Sequence, residues 1–282
     1  MITNKKKISK KKKVLISIIL VVLLLFVYSI VNTNVLSVTN ITYSNAQIPA
    51  SFDGYKIVQI SDLHNKRFGK NQSRLINLVK KNSPDVIFVT GDLIDRRNTN
   101  LVAAMEFIDE AVKIAPVYYV SGNHEAWSQR YDQLKTQLLN SGVIVMDDTD
   151  EYIQRGDESI HLIGLSDPAF INSTKKIGDN IEALSKSEEF EMLLMHRPEL
   201  FEIYVEKNMD LVFSGHAHGG QIRLPIIGPI VAPNQGLFPE YTMGTYEKNG
   251  TTMVVSRGLG NSVIPLRTLN SPEIIALTLS VD

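Results

Sequence analysis

Short apolar runs alternate with amphipathic stretches along most of the chain. Five of these runs are rich in valine, isoleucine and aromatic residues and are followed closely by glycine, serine or histidine. That pattern is typical of buried strands. The five predicted strands are KIVQIS (56–61), DVIFVTG (85–91), VYYVSG (117–122), EMLLMH (191–196) and DLVFSG (210–215).

Apolar residues recur at helical spacing between the predicted strands. The predicted helices span 71–82, 101–113 and 127–140, with a weaker one over 178–189. Alternation of strands and helices favours parallel strand pairing and a layered α/β fold. Two further strands are predicted near the C-terminus, over 251–258 and 273–281.

The N-terminal region has a different pattern, because residues 14–31 are uncharged and almost wholly apolar. A helix of this length is about 27 Å long, enough to cross the hydrocarbon core of a membrane. A buried helix of a soluble protein rarely lacks a polar face over such a length. A signal peptide has a shorter apolar run and a small-residue cleavage site. The following NTNVLSVTN has no such site, so an uncleaved transmembrane anchor is favoured.

Charge supports an orientation for this helix. Seven lysines fall within residues 1–13, and no acidic residue precedes Asp53. The positive-inside rule predicts a basic cytoplasmic tail over 1–13, an anchor over 14–31 and an extracytoplasmic remainder. We therefore expect a single-pass protein of the cell membrane. Residues 32–50 are polar without periodicity and predict a linker to one folded domain over 51–282.

Bulk composition excludes several classes of function. The formal net charge of −1 gives no field that would indicate a nucleic-acid partner. The absence of cysteine excludes disulfides, thiolate metal sites and cysteine nucleophiles.

Polar residues cluster directly after the predicted strands. Five of the six histidines lie there, together with two aspartates and one asparagine. In open α/β sheets the carboxyl edge of the strands is where ligands bind. The residues concerned are Asp62, His64, Asp92, Asn123, His124, His196, His216 and His218.

Imidazole and carboxylate without thiolate suit manganese, iron or zinc. Seven ligands, counted without His124, are too many for one ion but fit a pair about 3.5–4 Å apart. Asp92 is the natural bridge, because its two oxygens can each hold one ion. In extended segments the DxH and HxH spacings would each project two ligands to one side.

The motifs DLH, GDLID, GNHE, MHRP and GHAHGG resemble, in order and spacing, those of the calcineurin-like metallophosphoesterases. The tail VVSRGLGNSVIPLR…PEI is similar to the bacterial membrane-anchored branch of that superfamily. The resemblance implies a layered α/β/β/α sandwich of two mixed sheets with a dinuclear metal site. It also implies a hydroxide that bridges two divalent ions, with manganese favoured, and attacks phosphorus.

Carried over by position, the resemblance divides the ligands between two ions. One ion is assigned Asp62, His64, Asp92 and His218. The other is assigned Asp92, Asn123, His196 and His216. The catalytic histidine of the motif falls on His124, which stabilises the transition state or protonates the leaving group.

Other residues near the motifs have two open interpretations each. Arg197, Arg257 and Trp127 are candidates to bind substrate, or they serve in salt bridges and packing. Asp95 or Glu125 orients an imidazole, although an ordinary solvated carboxylate is favoured for both. His161 lies in an alternating strand away from the motifs and is interpreted as structural.

The resulting hypothesis is a hydrolase of a phosphodiester, phosphomonoester or pyrophosphate bond. Its substrate is a phosphorylated small molecule or a lipid-linked phosphate, and the Gly/Pro-rich stretch 228–250 is expected at the rim of the site. Within that stretch Phe238 and Tyr241 contact an acyl chain or a base, or pack on the sheet. The alternative is a catalytically silent binding or scaffold protein of the same fold.

Overall fold

The computed structural model describes residues 9–186, 188–261 and 265–282. The described residues form seven α-helices: α1 (Lys10–Asn34), α2 (Ser73–Asn82), α3 (Val102–Ala111), α4 (Asn123–Ser128), α5 (Tyr131–Asn140), α6 (Lys175–Leu184) and α7 (Phe201–Glu206). Most of the predicted basic tail (residues 1–8) and part of the tail motif (262–264) lie outside the described residues.

Sixteen strands lie in the same described ranges. They are β1 (Ser37–Ser44), β2 (Lys56–Ile60), β3 (Val86–Thr90), β4 (Val117–Val120), β5 (Ile144–Val145), β6 (Thr149–Arg155), β7 (Glu158–Gly164), β8 (Glu191–Leu194), β9 (Leu211–Ser214), β10 (Arg223–Leu224), β11 (Gly228–Pro229), β12 (Val231–Ala232), β13 (Gly236–Leu237), β14 (Gly244–Lys248), β15 (Thr251–Val255) and β16 (Glu273–Ser280).

Two six-stranded mixed sheets form the centre of the fold. Sheet I has the order β1-β16-β2-β3-β4-β5, and sheet II has the order β14-β15-β9-β8-β7-β6. Strands β2 to β5 are parallel, as are β7, β8, β9 and β15, whereas β16 runs antiparallel to β2. The predicted α/β/β/α sandwich of two mixed sheets is confirmed.

Apolar side chains fill three layers between the sheets and the helices. Helices α2, α3 and α5 cover the outer face of sheet I, and α6 and α7 cover that of sheet II. The third cluster lies between the sheets and includes Phe88 and Phe213, whose rings meet edge to face at 5.1 Å. Because both faces of the central strands are covered, these strands read as continuous apolar runs.

The segment expected to be a linker is structured. Helix α1 extends to Asn34, and residues 37–44 form β1, which pairs in parallel with β16 along its whole length. Val38 packs against the sheet I cluster, and Tyr43 is buried between the sheets. The folded domain therefore begins before residue 51. Its edge strand escaped prediction because its alternation is interrupted by polar residues and its partner lies at the other end of the chain.

Helix α1 is long and apolar enough to cross a membrane, judged by its length and composition. Its apolar side chains are exposed, but its last turns pack on the domain, where Ser29 and Thr33 are buried. Ser29 Oγ lies 2.7 Å from Thr268 Oγ1, and Asn32 Nδ2 donates to Ser271 Oγ at 2.7 Å. These contacts fix the end of the helix against the domain.

Helix α1 leaves the domain at the carboxyl edge of sheet I. It leads into β1, whose first residue, Ser37, is paired with the first residue of β16, Glu273. Two residues later in β16, Ile275 is paired with Gln59, close to the carboxyl end of β2. The helix and the carboxyl ends of the parallel strands therefore share one side of the molecule.

His161 occupies a buried position on β7 between two carboxylates. Its Nδ1 lies 2.8 Å from Glu191 Oε1, and its Nε2 lies 2.8 Å from Asp150 Oδ2. Burial alone would lower the pKa of His161, but its hydrogen bonds to Glu191 and Asp150 outweigh burial and raise that pKa. The arrangement is that of a structural histidine joining β6, β7 and β8.

We expect His161→Gln to destabilise the protein by about 3–5 kcal/mol, because it leaves the buried carboxylate of Glu191 without a cation. Since the folded-state pKa is raised, the stabilisation from His161 is complete below its ordinary pKa of about 6.5. It declines as pH rises through the folded-state value. The difference in Tm between the wild type and the variant should therefore be larger at acidic than at alkaline pH. Circular dichroism of the full chain in detergent measures it, with the exposed Asp157→Asn as control; a difference independent of pH would contradict this account.

Candidate metal centre

The polar residues predicted after the strands meet at one edge of the two sheets. They follow β2, β3, β4, β8 and β9, and Asn123 and His124 begin the short helix α4. All of them are buried: Asp62, His64, Asp92, Asn123, His124, His196, His216 and His218.

Two groups of candidate ligands form within this set. In the first group, Asp62, His64 and His218 bring their ligand atoms within 4.8 Å of one another. His218 Nε2 lies 3.3 Å from Asp62 Oδ1 and 3.2 Å from His64 Nε2.

The second group is formed by Asp92, His196 and His216, again with ligand atoms within 4.8 Å of one another. His196 Nε2 lies 3.3 Å from Asp92 Oδ2 and 3.2 Å from His216 Nδ1. The resemblance assigns Asn123 to the same ion; its Oδ1 is buried and has no hydrogen-bond partner.

Asp92 lies between the two groups. Its Oδ2 is 3.3 Å from His196 Nε2 and 3.5 Å from His64 Nε2, and it has no hydrogen-bond partner. Its Oδ1 accepts a hydrogen bond from the backbone N–H of His124 at 2.8 Å. Buried polar atoms are rarely left without partners. A buried carboxylate oxygen without a hydrogen-bond partner, with an imidazole nitrogen on either side of it, is the arrangement expected of a site for two cations.

The backbone at these residues is unusual. The φ angles of Asp62, His64, Asp92, His216 and His218 lie between 47° and 64°, in the left-handed region. Such conformations cost of order 1–3 kcal/mol each and cluster at functional sites. The expectation that DxH and HxH are extended is wrong, because both segments turn sharply. His216 and His218 reach different groups, in line with their assignment to different ions.

Hydrogen bonds fix the orientation of two imidazoles in the second group. His196 Nδ1 lies 2.7 Å from the carbonyl oxygen of Thr90, to which it donates, so its Nε2 is the free nitrogen. His216 Nε2 lies 2.9 Å from Asn234 Oδ1, which leaves Nδ1 facing His196. Such partners set the tautomer and basicity of metal-binding histidines. Asn234 comes from the Gly/Pro-rich stretch and carried no motif signal.

Arg267 supports the first group and was also missed. Its side chain is fully buried, its Nη1 donates to the carbonyl oxygen of Arg257 at 2.8 Å, and its Nη2 lies 3.3 Å from His218 Nδ1. Burial lowers the pKa of Arg267 to about 10. Its only signal in the sequence is its place in the tail motif PLR.

The two arginines predicted near substrate are engaged with carboxylates. Arg197 forms a two-pronged pair with Asp167, with distances of 2.5 and 2.9 Å, and its Nη1 lies 2.9 Å from His216 Nε2. Arg257 Nη2 lies 2.6 Å from Glu273 Oε2. Of the two open interpretations, the structure therefore favours salt bridging, with Arg197 also bordering the metal centre.

Glu125 is neither solvated nor directed at an imidazole. It is fully buried and accepts hydrogen bonds from the backbone N–H groups of Asp92 (2.8 Å), Ile94 (3.1 Å) and Gly122 (2.8 Å). Burial, reinforced by Asp92, raises the pKa of Glu125 to about 8. Its role is to hold the loop that carries Asp92 against the start of α4.

His124 borders the candidate ligands, with its ring 4.4 Å from that of His64. Its Nδ1 accepts a hydrogen bond from the backbone N–H of Arg96 at 3.2 Å, which assigns the proton to Nε2. Asp95 lies 3.8 Å from the same nitrogen and pairs with Arg97 instead, so it does not orient the ring. Burial lowers the pKa of His124 to about 4, so the ring is neutral at pH 7.

Two cavities adjoin the centre, and Trp127 lines both. The first, of about 220 Å³, lies over the candidate ligands and is also lined by His124 and Arg96. The second, of about 640 Å³, extends beside it and is lined by Arg197 and Asn234 among others. Arg96 stacks over the Trp127 ring at 4.7 Å from its centroid. Trp127 thus stands at the boundary between the cavity over the candidate ligands and the larger cavity beside it.

Gly215 permits the close approach of the two strands that carry the first group. A Cβ at this position would lie 1.9 Å from Ser61 Oγ and 2.6 Å from Asp62 Oδ2. The space beside Gly215 is therefore filled by Ser61 and Asp62.

We expect Gly215→Ala to displace the Asp62 carboxylate and to weaken metal binding about 10–100-fold, the cost typical of disturbing residues around a metal site. Metal titration of the full chain by isothermal calorimetry measures this effect. Gly178→Ala in α6 is the matched control, because a Cβ there meets its nearest neighbours at 3.4 Å. Equal metal affinity in both variants would contradict the steric argument.

Comparison with known proteins adds to this geometry. The sequence profile of the calcineurin-like phosphoesterases matches residues 55–220, a range that contains every candidate ligand. The chain is 30% identical over 256 residues to the metallophosphoesterase YkuE of Bacillus subtilis, covering 87% of this chain and 86% of that protein.

Two further relatives are similar over most of this chain. Phosphodiesterase YaeI of Escherichia coli is 26% identical over 230 residues, covering 80% of this chain and 82% of that protein. A transmembrane protein with a metallophosphoesterase domain from Danio rerio is 27% identical over 269 residues, covering 90% of this chain and 60% of that protein.

Proposed function

Because the chain belongs to the calcineurin-like phosphoesterase family, we propose that it hydrolyses phosphodiester, phosphomonoester or pyrophosphate bonds with two divalent metal ions. One observation carries this proposal: Asp92 Oδ2 is buried without a hydrogen-bond partner, 3.5 Å from His64 Nε2 and 3.3 Å from His196 Nε2. A catalytically silent scaffold would gain nothing from such an arrangement.

The residues are proposed to divide as the resemblance implies. Asp62, His64, Asp92 and His218 hold one ion, and Asp92, Asn123, His196 and His216 hold the other. When bound, such a pair, with manganese favoured, supplies positive charge to phosphoryl oxygens and lowers the pKa of attacking water. The buried carboxylates and the imidazole nitrogens supply the oxygen and nitrogen donors that these cations prefer.

His124 is proposed as the catalytic residue outside the ligand set. Its Nδ1 is occupied by the Arg96 N–H, so Nε2 carries the proton and donates a hydrogen bond to substrate. As the bond to phosphorus breaks, negative charge develops on the leaving oxygen, and a preorganised donor stabilises that charge. Trp127 and Arg96 form the adjoining wall and hold the leaving portion in place.

The second cavity bears on the substrate. A space of about 640 Å³ beside the centre accommodates a second substituent on phosphorus, which favours a diester or a pyrophosphate over a small monoester. The similarity to phosphodiesterase YaeI agrees with this preference.

A panel of phosphate compounds tests the proposed function. The full chain in detergent with Mn²⁺ is expected to hydrolyse bis-p-nitrophenyl phosphate faster than p-nitrophenyl phosphate, and EDTA should abolish both activities. Lipid-linked diphosphates and soluble nucleotides in the same assay separate the two proposed substrate sources. Absence of turnover with every divalent ion, despite bound metal, would support the scaffold alternative.

We further propose that α1 anchors the protein as a single-pass membrane protein, with residues 1–13 cytoplasmic and the catalytic domain outside. The support is helix α1, whose 25 residues begin within the lysine cluster and contain the uncharged apolar run 14–31. Protease added to intact cells is expected to digest the domain, while a cytoplasmic marker protein stays intact. Complete protection of the domain would refute the outward orientation.

A further inference from the structure

Among the described residues, the region between Ile222 and Phe238 exposes several large apolar side chains. It forms two small hairpins, β10–β11 and β12–β13. Ile226 is fully exposed, and Phe238 is 67% exposed. With Leu269 from a neighbouring turn, these residues form what we call the apolar edge: Leu224, Ile226, Ile227, Leu237, Phe238 and Leu269.

The apolar edge lies beside the end of α1. The backbone N–H of Arg267 donates to Thr33 Oγ1 at 2.9 Å, and Thr268 Oγ1 lies 2.7 Å from Ser29 Oγ, one turn earlier in the helix. The segment from Arg267 to Leu269 therefore runs along α1 towards the apolar body of the helix. At Leu269, where φ is 51°, the chain turns back.

The β10–β11 hairpin runs in the same direction. Ile222 forms a parallel bridge with Thr268, and the backbone N–H of Arg223 donates to the carbonyl oxygen of Thr268 at 3.1 Å. Because the bridge is parallel, the segment that follows Ile222 runs in the same direction as the segment that follows Thr268. Both segments run along α1 towards its apolar body. The tip of the hairpin, at Ile226, thus lies on the side from which α1 leaves the domain.

The second hairpin extends this surface sideways. The backbone N–H of Ile230 donates to the carbonyl oxygen of Ile222 at 3.0 Å, and that of Phe238 donates to Ile230 at 3.0 Å. Phe238 is therefore linked through Ile230 to Ile222, the residue that pairs with Thr268. Tyr241 does not take part, because its ring packs against Phe201 and Tyr246.

Basic residues mark the level at which α1 meets the domain. Lys66 Nζ donates to the carbonyl oxygen of Thr33, and Arg74 Nη2 donates to that of Asn34 at 3.3 Å. Long basic side chains near the end of a membrane-spanning helix suit the level of the lipid headgroups. Apolar side chains beyond that level, along α1, suit the acyl boundary.

We propose that the apolar edge is a second membrane contact, which inserts into the lipid interface next to α1. This inference rests on the proposed anchoring by α1. Insertion would turn the carboxyl edge of sheet I, and with it the metal centre, towards the lipid headgroups. The phosphate that reaches the centre would then come from the membrane surface, which favours the lipid-linked substrate class.

Because the chain contains no cysteine, a single introduced cysteine can be labelled specifically to test for lipid contact. Full-length Ile226→Cys and Asp157→Cys are each labelled with a polarity-sensitive nitrobenzoxadiazole probe. Both are reconstituted into liposomes of phosphatidylethanolamine and phosphatidylglycerol that contain a spin-labelled lipid. Asp157 is the matched control, because it is exposed in the β6–β7 turn, at the end of β7 opposite the metal centre.

We expect both labelled proteins to float with the liposomes and the probe at 226 to be quenched several-fold more than the probe at 157. Co-flotation with equal quenching would overturn the second contact and leave the anchor intact. Failure to float would refute the anchor on which the inference rests, without bearing on phosphate hydrolysis. Shielding of the probe at 226 from water without quenching by the lipid would assign the apolar edge to a protein–protein contact and overturn the inference.

A second variant, Ile226→Asp in a Phe238→Cys background, tests the same contact without a label at 226, in case that label disturbs the hairpin. A charge at the tip is expected to reduce lipid quenching at 238 several-fold, because burying it at the acyl boundary is unfavourable. Unchanged quenching at 238 would show that the tip does not enter the lipid.

Discussion

Asp92→Asn is expected to lower the bound divalent metal from two ions per chain to fewer than one and to reduce turnover at least about a hundredfold. Changing a residue that only orients a metal ligand typically lowers metal affinity or activity 10–100-fold. Asp92 lies between both groups of candidate ligands, so a larger loss is expected. Its Oδ2 lies 3.3 Å from His196 Nε2 and 3.5 Å from His64 Nε2. The amide keeps the shape of the side chain but removes its charge and one of its two acceptor oxygens.

Mass spectrometry of the metals bound to purified protein gives the first readout, and hydrolysis of bis-p-nitrophenyl phosphate gives the second. Asp157→Asn is the control, since it removes one carboxylate from an exposed turn. Two ions bound to Asp92→Asn with wild-type affinity would show that this carboxylate does not bridge them.

His124→Gln is expected to keep both metals and the wild-type KM while kcat falls about 10²–10⁴-fold, the range typical of general acid–base residues. The imidazole is neutral, because burial lowers its pKa to about 4, and its Nδ1 is engaged by the Arg96 N–H. The contribution proposed for His124 is therefore a hydrogen bond from Nε2 to the leaving oxygen, where negative charge develops. Glutamine has no ring to hold a donor at that place.

The size of this loss should depend on the leaving group. A nitrophenolate leaves without much assistance, so kcat for bis-p-nitrophenyl phosphate should fall less than kcat for an alkyl or sugar diester. Metal content is measured in the same samples. An emptied metal centre would make His124 a ligand, and an equal loss for all leaving groups would contradict its action on the leaving oxygen.

The layered fold and the gathering of polar residues were predictable because both depend on local patterns. Central strands such as β3 are buried on both faces, so their apolar runs stand out in the sequence. Strand ends in a parallel sheet meet at one edge, which brings Asp62 and Asp92 together at sheet I, and His196 and His216 together at sheet II, without knowledge of the loops.

Other features depend on contacts between distant residues and had no such pattern. Strand β1 pairs with β16, more than two hundred residues away along the chain, so its partner could not be inferred from its neighbours. Arg267 and Asn234 reach the imidazoles of His218 and His216 from segments outside the five motifs that carry the candidate ligands.

The local geometry at the ligands was hidden for a different reason. Asp62, His64 and His216 adopt left-handed backbone conformations that few residues other than glycine take readily. Such strain is held by the surrounding structure, so the residues themselves do not signal it. Glu125 illustrates the same limit, because its three backbone partners become visible only when the loop of Asp92 meets α4.

The most direct test of the central claim is a titration of the metal-free full chain with Mn²⁺, recording bound metal and hydrolysis of bis-p-nitrophenyl phosphate together. Two groups of ligands that share Asp92 predict that turnover stays low while the first equivalent binds and reaches its maximum only with the second. EDTA should reverse the activation. Full activity with one bound ion, or none with two, would contradict a phosphoesterase with a dinuclear centre.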